Sequence, residues 1–352
     1  MSSDRIVGMV WAAAGVLFGI LSAGCFGPPE IGSGNELVAG DDGGVTVNGP
    51  TDSIDAGQGH RPPARDGGAQ SPDLEGSMSS IVPGAVGPHG GTVNLLHFGV
   101  SGDTRPKACE DTASYPTAVI NGIGDALRQD GAQFALDLGD HMYVCNNDLT
   151  IATEQMNLFV AGTQHFGGTW FMTEGNHECW KGPCLAGSTN ANYVAFMAAL
   201  NHISTTPYYS FHVETSMGRA TFVVIADNSW DSNQSNWLES TLSDADKNST
   251  YTIVARHHPE GDSTVSTNST SIAIVRKHKF ALLLTGHDHL YKHMTTDSGR
   301  DLVLGCSGAP LIAGGSFFGY GVIDQKTDGR LYVSIYDLST KAVVDSWSVA
   351  PN

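Results

Sequence analysis

Five short clusters in this 352-residue chain carry side chains of the kind that bind metal ions. They are Gly102-Asp103-Thr104-Arg105, Gly139-Asp140-His141-Met142-Tyr143, Gly175-Asn176-His177-Glu178, Arg256-His257-His258 and Gly286-His287-Asp288-His289. Carboxylate, carboxamide, imidazole and phenol donors without a thiolate suit Zn²⁺, Mn²⁺ or iron rather than Cu(I) or an iron–sulfur cluster. Taken singly, each cluster also fits ordinary loop chemistry. Asp103 and Asp140 serve as turn or cap residues, Asn176 as a left-handed turn residue, His257 or His258 as satisfied polar groups, and Tyr143 as packing. Recurrence of the pattern is what points to one site of convergent, titratable groups.

Each cluster follows an apolar run of strand length: residues 93–100, 134–138, 169–172, 251–254 and 280–284. Stretches with helical spacing, such as Ala118, Val119, Ile120, Ile123 and Leu127, lie between such runs. The alternation predicts an α/β layered fold. Ligands of an open α/β sheet gather at the carboxyl ends of its strands, so the clusters are expected along one rim. Late runs at residues 318–323, 331–336 and 342–349 are expected to complete a second sheet.

The series Gly102-Asp103-Thr104, Gly139-Asp140-His141-Met142-Tyr143, Gly175-Asn176-His177-Glu178, Val254-Ala255-Arg256-His257 and Gly286-His287-Asp288-His289 resembles the five-motif signature of calcineurin-like metallophosphoesterases. Its second motif is similar to that of the purple acid phosphatase branch. The stretch from Gln234 to Leu242, with Trp237 and Leu238, resembles the helix that such phosphatases carry between the third and fourth motifs. The resemblance implies a four-layer α/β sandwich of two mixed β-sheets flanked by helices. It also implies two metal ions, Fe³⁺ together with Zn²⁺, Mn²⁺ or Fe²⁺. Asp103, Asp140, Tyr143 and His289 would bind one, and Asn176, His257, His287 and the bridging Asp140 the other. The wider superfamily has a ligand histidine where Arg105 stands, and in the purple branch the tyrosine of the second motif replaces that lost ligand. Arg105 then becomes a candidate to meet substrate phosphate, although the purple branch usually has glycine there. His177 is left near the phosphate as acid or charge stabiliser, with His258 behind the ligands. The implied activity is hydrolysis of small phosphate esters, expected as a broad-specificity phosphomonoesterase. Its rivals are a phosphodiesterase on nucleotides or phospholipids and a non-catalytic lipoprotein binding module on the same fold.

The rest of the chain bounds this reading. Residues 26–90 are crowded with Gly and Pro and lack apolar periodicity, which predicts a disordered tether ahead of a domain at 91–352. A net charge of −18 without a Lys/Arg cluster argues against a nucleic acid polymer as partner. Arg5, the apolar run 6–21 and Ser22-Ala23-Gly24-Cys25 look like a bacterial lipoprotein signal spanning 1–25, with Cys25 lipidated and inserted in the membrane. An uncleaved signal anchor is the alternative. Both place the domain outside the cytoplasm, in the cell envelope. Thiols there tend to pair, and chain position favours Cys109 with Cys145 and Cys179 with Cys184, leaving Cys306 as a buried thiol.

Overall fold

The computed structural model describes residues 85–352 except 264, 266 and 295–298. The expected signal, Cys25 and residues 26–84 of the expected tether therefore lie outside the described residues. The first elements are β1 (Val86–Gly87), β2 (Gly90–Thr92), β3 (His97–Ser101), α1 (Thr117–Asp130), β4 (Phe134–Asp137), α2 (Leu149–Thr163), β5 (Thr169–Met172) and α3 (Ala191–Leu200). There follow β6 (Tyr209–Thr215), β7 (Gly218–Val224), α4 (Ser232–Asn248), β8 (Tyr251–Ala255), α5 (Asn268–Val275), β9 (Leu282–Thr285), β10 (Tyr291–Met294) and β11 (Asp301–Leu304). The last three are β12 (Gly319–Gln325), β13 (Leu331–Asp337) and β14 (Val343–Val349).

Two mixed sheets form, with strand orders β14-β13-β12-β3-β4-β5 and β1-β2-β6-β7-β8-β9-β11-β10. Strands β3, β4 and β5 are mutually parallel, as are β7, β8 and β9. Every residue of β3, β4, β8 and β9 is buried, which is why these strands read as continuous apolar runs rather than alternating ones. Phenylalanines join the sheets: Phe134 meets Phe222 at 5.2 Å and Phe211 at 5.9 Å, and Phe171 stacks on Phe211 at 3.7 Å. Leu238 and Leu242 of α4 and Ile272 and Val275 of α5 cover the outer face of the second sheet through Val223, Val254 and Leu283. Helix α1 covers the first sheet and ends at Gly131, whose φ of 81° is the left-handed stop that glycine adopts without steric cost.

Three expectations are corrected. The tether was expected to run to residue 90, yet β1 and β2 pair with each other and β2 pairs in parallel with β6. Two- and three-residue strands rich in glycine have no periodicity to read; Val86, fully buried, is their one core side chain. The first apolar run was expected to be one strand from residue 93, but the strand begins at His97, because residues 93–96 cross from the sheet of β2 to that of β3. The late runs do form strands, but β12 pairs antiparallel with β3, so they enlarge the sheet that carries the first three clusters. Among the described residues no helix is long and apolar enough to cross a membrane.

His97 fastens the start of β3 to the surrounding elements. Its Nδ1 lies 2.6 Å from Asp324 Oδ1 of β12 and its Nε2 3.2 Å from Asp130 Oδ2 at the end of α1. Burial works against its charge, but the two carboxylates outweigh burial and raise it to about 9. A folded value above the unfolded one means that this stabilisation is complete below pH ~6.5 and is lost as pH rises through about 9. Both carboxylates are partly exposed, so the effect is on the order of 1 kcal/mol. Urea denaturation is expected to show this loss in the wild type and a flatter profile in His97→Leu; an identical pH profile in the variant would refute the assignment.

Candidate metal centre

The five clusters meet at the seam between the two sheets rather than along the rim of one. Asp103, Asp140 and Asn176 follow β3, β4 and β5 of the first sheet, whereas His257 and His287 follow β8 and β9 of the second. Three of these residues sit in the left-handed backbone region: Asp103 at φ 60°, Asp140 at φ 61° and His287 at φ 70°. Such a conformation costs a non-glycine residue about 1–3 kcal/mol and persists only where the surroundings enforce it. Here they do. Asp103 N–H donates to the Gly139 carbonyl (2.9 Å), Thr104 N–H to the Asp140 carbonyl (3.0 Å), and His287 N–H to Asp103 Oδ2 (2.9 Å). The glycine of the third cluster permits the closest approach, since a Cβ on Gly175 would collide with Asp140 Oδ1.

Four donor atoms converge in the set expected to hold the second metal. Asn176 Oδ1 lies 3.0 Å from His257 Nε2 and 2.9 Å from His287 Nδ1, the two histidine nitrogens are 3.3 Å apart, and His257 Nε2 is 3.3 Å from Asp140 Oδ1. His257 Nδ1 donates to the Leu138 carbonyl at 2.7 Å, which directs the Nε2 lone pair into the cluster. More lone pairs face one another here than there are protons to share, and a divalent cation fits that donor set.

The set expected for the first metal brings Asp103, Asp140 and His289 together. His289 Nδ1 donates to the Pro310 carbonyl (2.8 Å), and its Nε2 is 3.4 Å from Asp103 Oδ1. That oxygen is buried and has no hydrogen-bond partner among the described residues, as a ligand oxygen awaiting a cation would be. Burial raises the Asp103 carboxyl, and His289 is raised by Asp103 against the effect of its own burial. Burial also opposes the charge of Asp140, but His177, His257 and Arg105 outweigh it and hold that carboxyl far below its usual range.

Tyr143 and Arg105 complete this side of the site. The Arg105 guanidinium lies 4.7 Å over the Tyr143 ring, its Nε 3.6 Å from Asp140 Oδ2 and its Nη2 3.4 Å from His289 Nε2. It therefore stands beside three of the four residues expected to hold the first metal, with its side chain 14% exposed. The Tyr143 ring meets His177 edge-on at 4.5 Å. The His177 ring is stacked on Trp180 at 4.9 Å, its backbone N–H donates to Asp140 Oδ1 at 3.0 Å, and burial lowers its imidazole to about 4. His258 groups with His257 and His287: it is fully buried, its Nδ1 is 2.6 Å from Asp262 Oδ2, and the same oxygen is 3.4 Å from His287 Nε2.

Sequence reasoning missed the residues that hold this set. The buried Glu178 accepts from the backbone N–H groups of Asp140 (3.0 Å), His141 (2.8 Å) and Gly175 (2.6 Å). The His141 ring lies between Asp137 (2.9 Å) and Glu178 (3.3 Å), all three fully buried. Burial disfavours its charge, yet the flanking carboxylates raise it to about 10. Gln234, in the stretch noted as a helix, bonds Ala226 and Ser229 and so fixes the loop after β7. Each disulfide has one cysteine two residues from a site side chain, Cys145 of Cys109–Cys145 from Tyr143 and Cys179 of Cys179–Cys184 from His177, while Cys306 is buried and unpaired.

With this geometry in view, the family model described as calcineurin-like phosphoesterase matches residues 96–291. No curated protein matches the chain in sequence. Solved structures share the fold at low identity. A dimetal phosphatase from Danio rerio aligns at 12% identity and a TM-score of 0.54, over 74% of this chain and 100% of its own. GAP50, described as the anchor in the inner membrane complex of Plasmodium, aligns at 15% identity and a TM-score of 0.53, over 74% and 90%. A purple acid phosphatase from yellow lupin (Lupinus luteus) seeds aligns at 17% identity and a TM-score of 0.51, over 73% and 54%, so the chain spans just over half of that enzyme.

Two outcomes test the geometry. Metal analysis of Asn176→Ala and of His257→Ala is expected to show loss of one ion per chain, whereas His177→Ala retains both and slows turnover about 10²–10⁴-fold; metal loss in His177→Ala would end its assignment as acid or charge stabiliser. His141→Leu leaves two buried carboxylates unpaired and is expected to cost about 3–5 kcal/mol in urea denaturation. A loss within about 0.5 kcal/mol would show that the carboxylates are compensated elsewhere.

Proposed function

The chain belongs to the calcineurin-like phosphoesterase family, and from that premise we propose a broad-specificity phosphomonoesterase, with Fe³⁺ in the first site and Zn²⁺, Mn²⁺ or Fe²⁺ in the second. The family consists of metal-dependent hydrolases that typically bind two ions. The observation that carries the finer reading is the convergence of Asn176 Oδ1, His257 Nε2 and His287 Nδ1, each within 3.3 Å of the other two, with Asp140 Oδ1 3.3 Å from His257 and Asp103 grouped with both. When bound, two cations make hydroxide available near neutral pH and neutralise the oxygens of an in-line displacement at phosphorus.

The chain's own residues then have separate tasks. Asp140 spans both sets, Asn176, His257 and His287 complete the second, and Asp103, Tyr143 and His289 the first. His177 is held next to Asp140 by Trp180 and Tyr143, where its neutral imidazole can donate a hydrogen bond to a phosphate or alcohol oxygen and stabilise the charge that develops there. Arg105 lies beside Asp140 and His289 and is the cation that would meet a phosphate oxygen. In this reading the domain is exported and tethered through a lipidated Cys25, which the apolar run ending at Leu21 and the two disulfides support. A non-catalytic binding module finds its support in the anchor protein of similar fold. The full donor set weighs against it.

Tyr143→Phe separates the readings of the first site. A phenol with a pKa near 10 stays ionised at working pH only beside a strong Lewis acid such as Fe³⁺. The wild type is expected to hydrolyse 4-nitrophenyl phosphate and to show a phenolate-to-iron band in the visible spectrum. The variant is expected to fold, lose the band and bind the first ion more weakly. Undiminished metal content and activity in Tyr143→Phe would reduce the residue to packing, and a colourless, active wild type with two zinc or manganese ions would remove iron alone.

A further inference from the structure

Next to the donor set lies a cavity of about 490 Å³, in the size range of sites for small organic ligands. Asn176 and His287 form its inner wall, so whatever occupies it adjoins the second metal position. The outer wall is largely apolar and includes Trp180, Pro183, Trp230 and Val265. Its carboxylate, Asp227, is buried and paired with Arg256 at 2.7 Å, and Lys181 stands exposed at the rim with its Nζ 3.4 Å from the Cys145 carbonyl. The wall therefore offers an occupant flat π surface and little charge.

The wall is also held in place. Trp180 stacks on His177, which joins the cavity to the group assigned to the reacting phosphate. Trp230 packs on the apolar cluster beneath α4 and α5. Cys179–Cys184 closes one loop, Gln234 fixes the other, and Cys184 N–H donates to the Asn228 carbonyl at 3.0 Å to join the two.

We propose that this cavity binds the leaving alcohol of the ester, and that Trp180 and Trp230 select an alcohol bearing an uncharged aromatic ring. The assignment rests on the phosphomonoesterase reading. In that reaction the bond from phosphorus to the alcohol oxygen breaks, a bond from phosphorus to the oxygen of water forms, and a proton passes to the alcohol, which leaves into the cavity. An aromatic ring gains from stacking on indole what a saturated ring of equal size does not, a difference of about three- to tenfold in affinity.

Trp230 is the residue to change, because replacing Trp180 would also disturb His177. Calorimetry on the metal-loaded protein would compare benzylphosphonate with cyclohexylmethylphosphonate, neither of which can be hydrolysed, and kinetics would compare the corresponding phosphate esters. Benzylphosphonate is expected to bind about three- to tenfold tighter, with kcat/KM following the same order. Trp230→Leu is expected to abolish the difference and Trp230→Phe to keep most of it, which guards against a variant that merely folds badly. Equal binding in the wild type, or a preference that survives Trp230→Leu, would overturn the cavity assignment even if both esters were hydrolysed. A preference without turnover of either ester would overturn the phosphomonoesterase reading and the leaving-group role with it.

Discussion

Geometry at the seam depends on one buried carboxylate. Glu178 sits where the loops after β4 and β5 meet and collects three backbone N–H groups from them. Those donors have no water to turn to, and each would cost about 1–3 kcal/mol if left unpaired. The carboxylate cannot be buried alone either, so it requires His141, and the cation of His141 requires Asp137. Asp137 in turn accepts the Ser101 hydroxyl at 2.6 Å and the Gly139 N–H at 3.1 Å, which carries the chain of compensation back to β3. Asp140 and Asn176 are thus aimed by charges that touch neither substrate nor metal.

The second sheet is sewn to this frame by two bonds made by the converging donor residues. His257 donates to the Leu138 carbonyl and the His287 N–H to Asp103, each bond crossing from one sheet's loops to the other's. Distances within the donor set are therefore set by how far apart the sheets pack, and the phenylalanine layer below determines that spacing. A volume change at Phe134 or Phe222 would reach the site through rigid strands, because close-packed interiors transmit strain rather than absorb it.

The donor residues could be read from sequence because each follows a strand buried on both faces, and such strands show as unbroken apolar runs. Other parts could not. β1 and β2 are held almost entirely by backbone bonds, which leave no trace in side-chain pattern. Glu178 and His141 stood inside the noted clusters, but their partners are defined only by the approach of β4 and β5. Trp180 and Trp230 are 50 residues apart in number and meet one cavity only because the loops after β5 and β7 are bonded to each other. The membership of late strands in the first sheet was likewise beyond reach, since alternating burial in β13 states which face is covered and not which neighbour lies alongside.

The left-handed backbone at Asp103, Asp140 and His287 has a consequence for the life of the protein before it acts. Without a cation the chain must hold three strained residues and a crowd of facing lone pairs, a state that the folded form tolerates at the expense of its own stability. A cation that binds the folded chain and not the unfolded one shifts that balance in proportion to the logarithm of its concentration. Metal supply would then govern how much folded protein persists as well as how fast it works, and chains starved of metal would be lost to proteolysis before their chemistry was ever called upon.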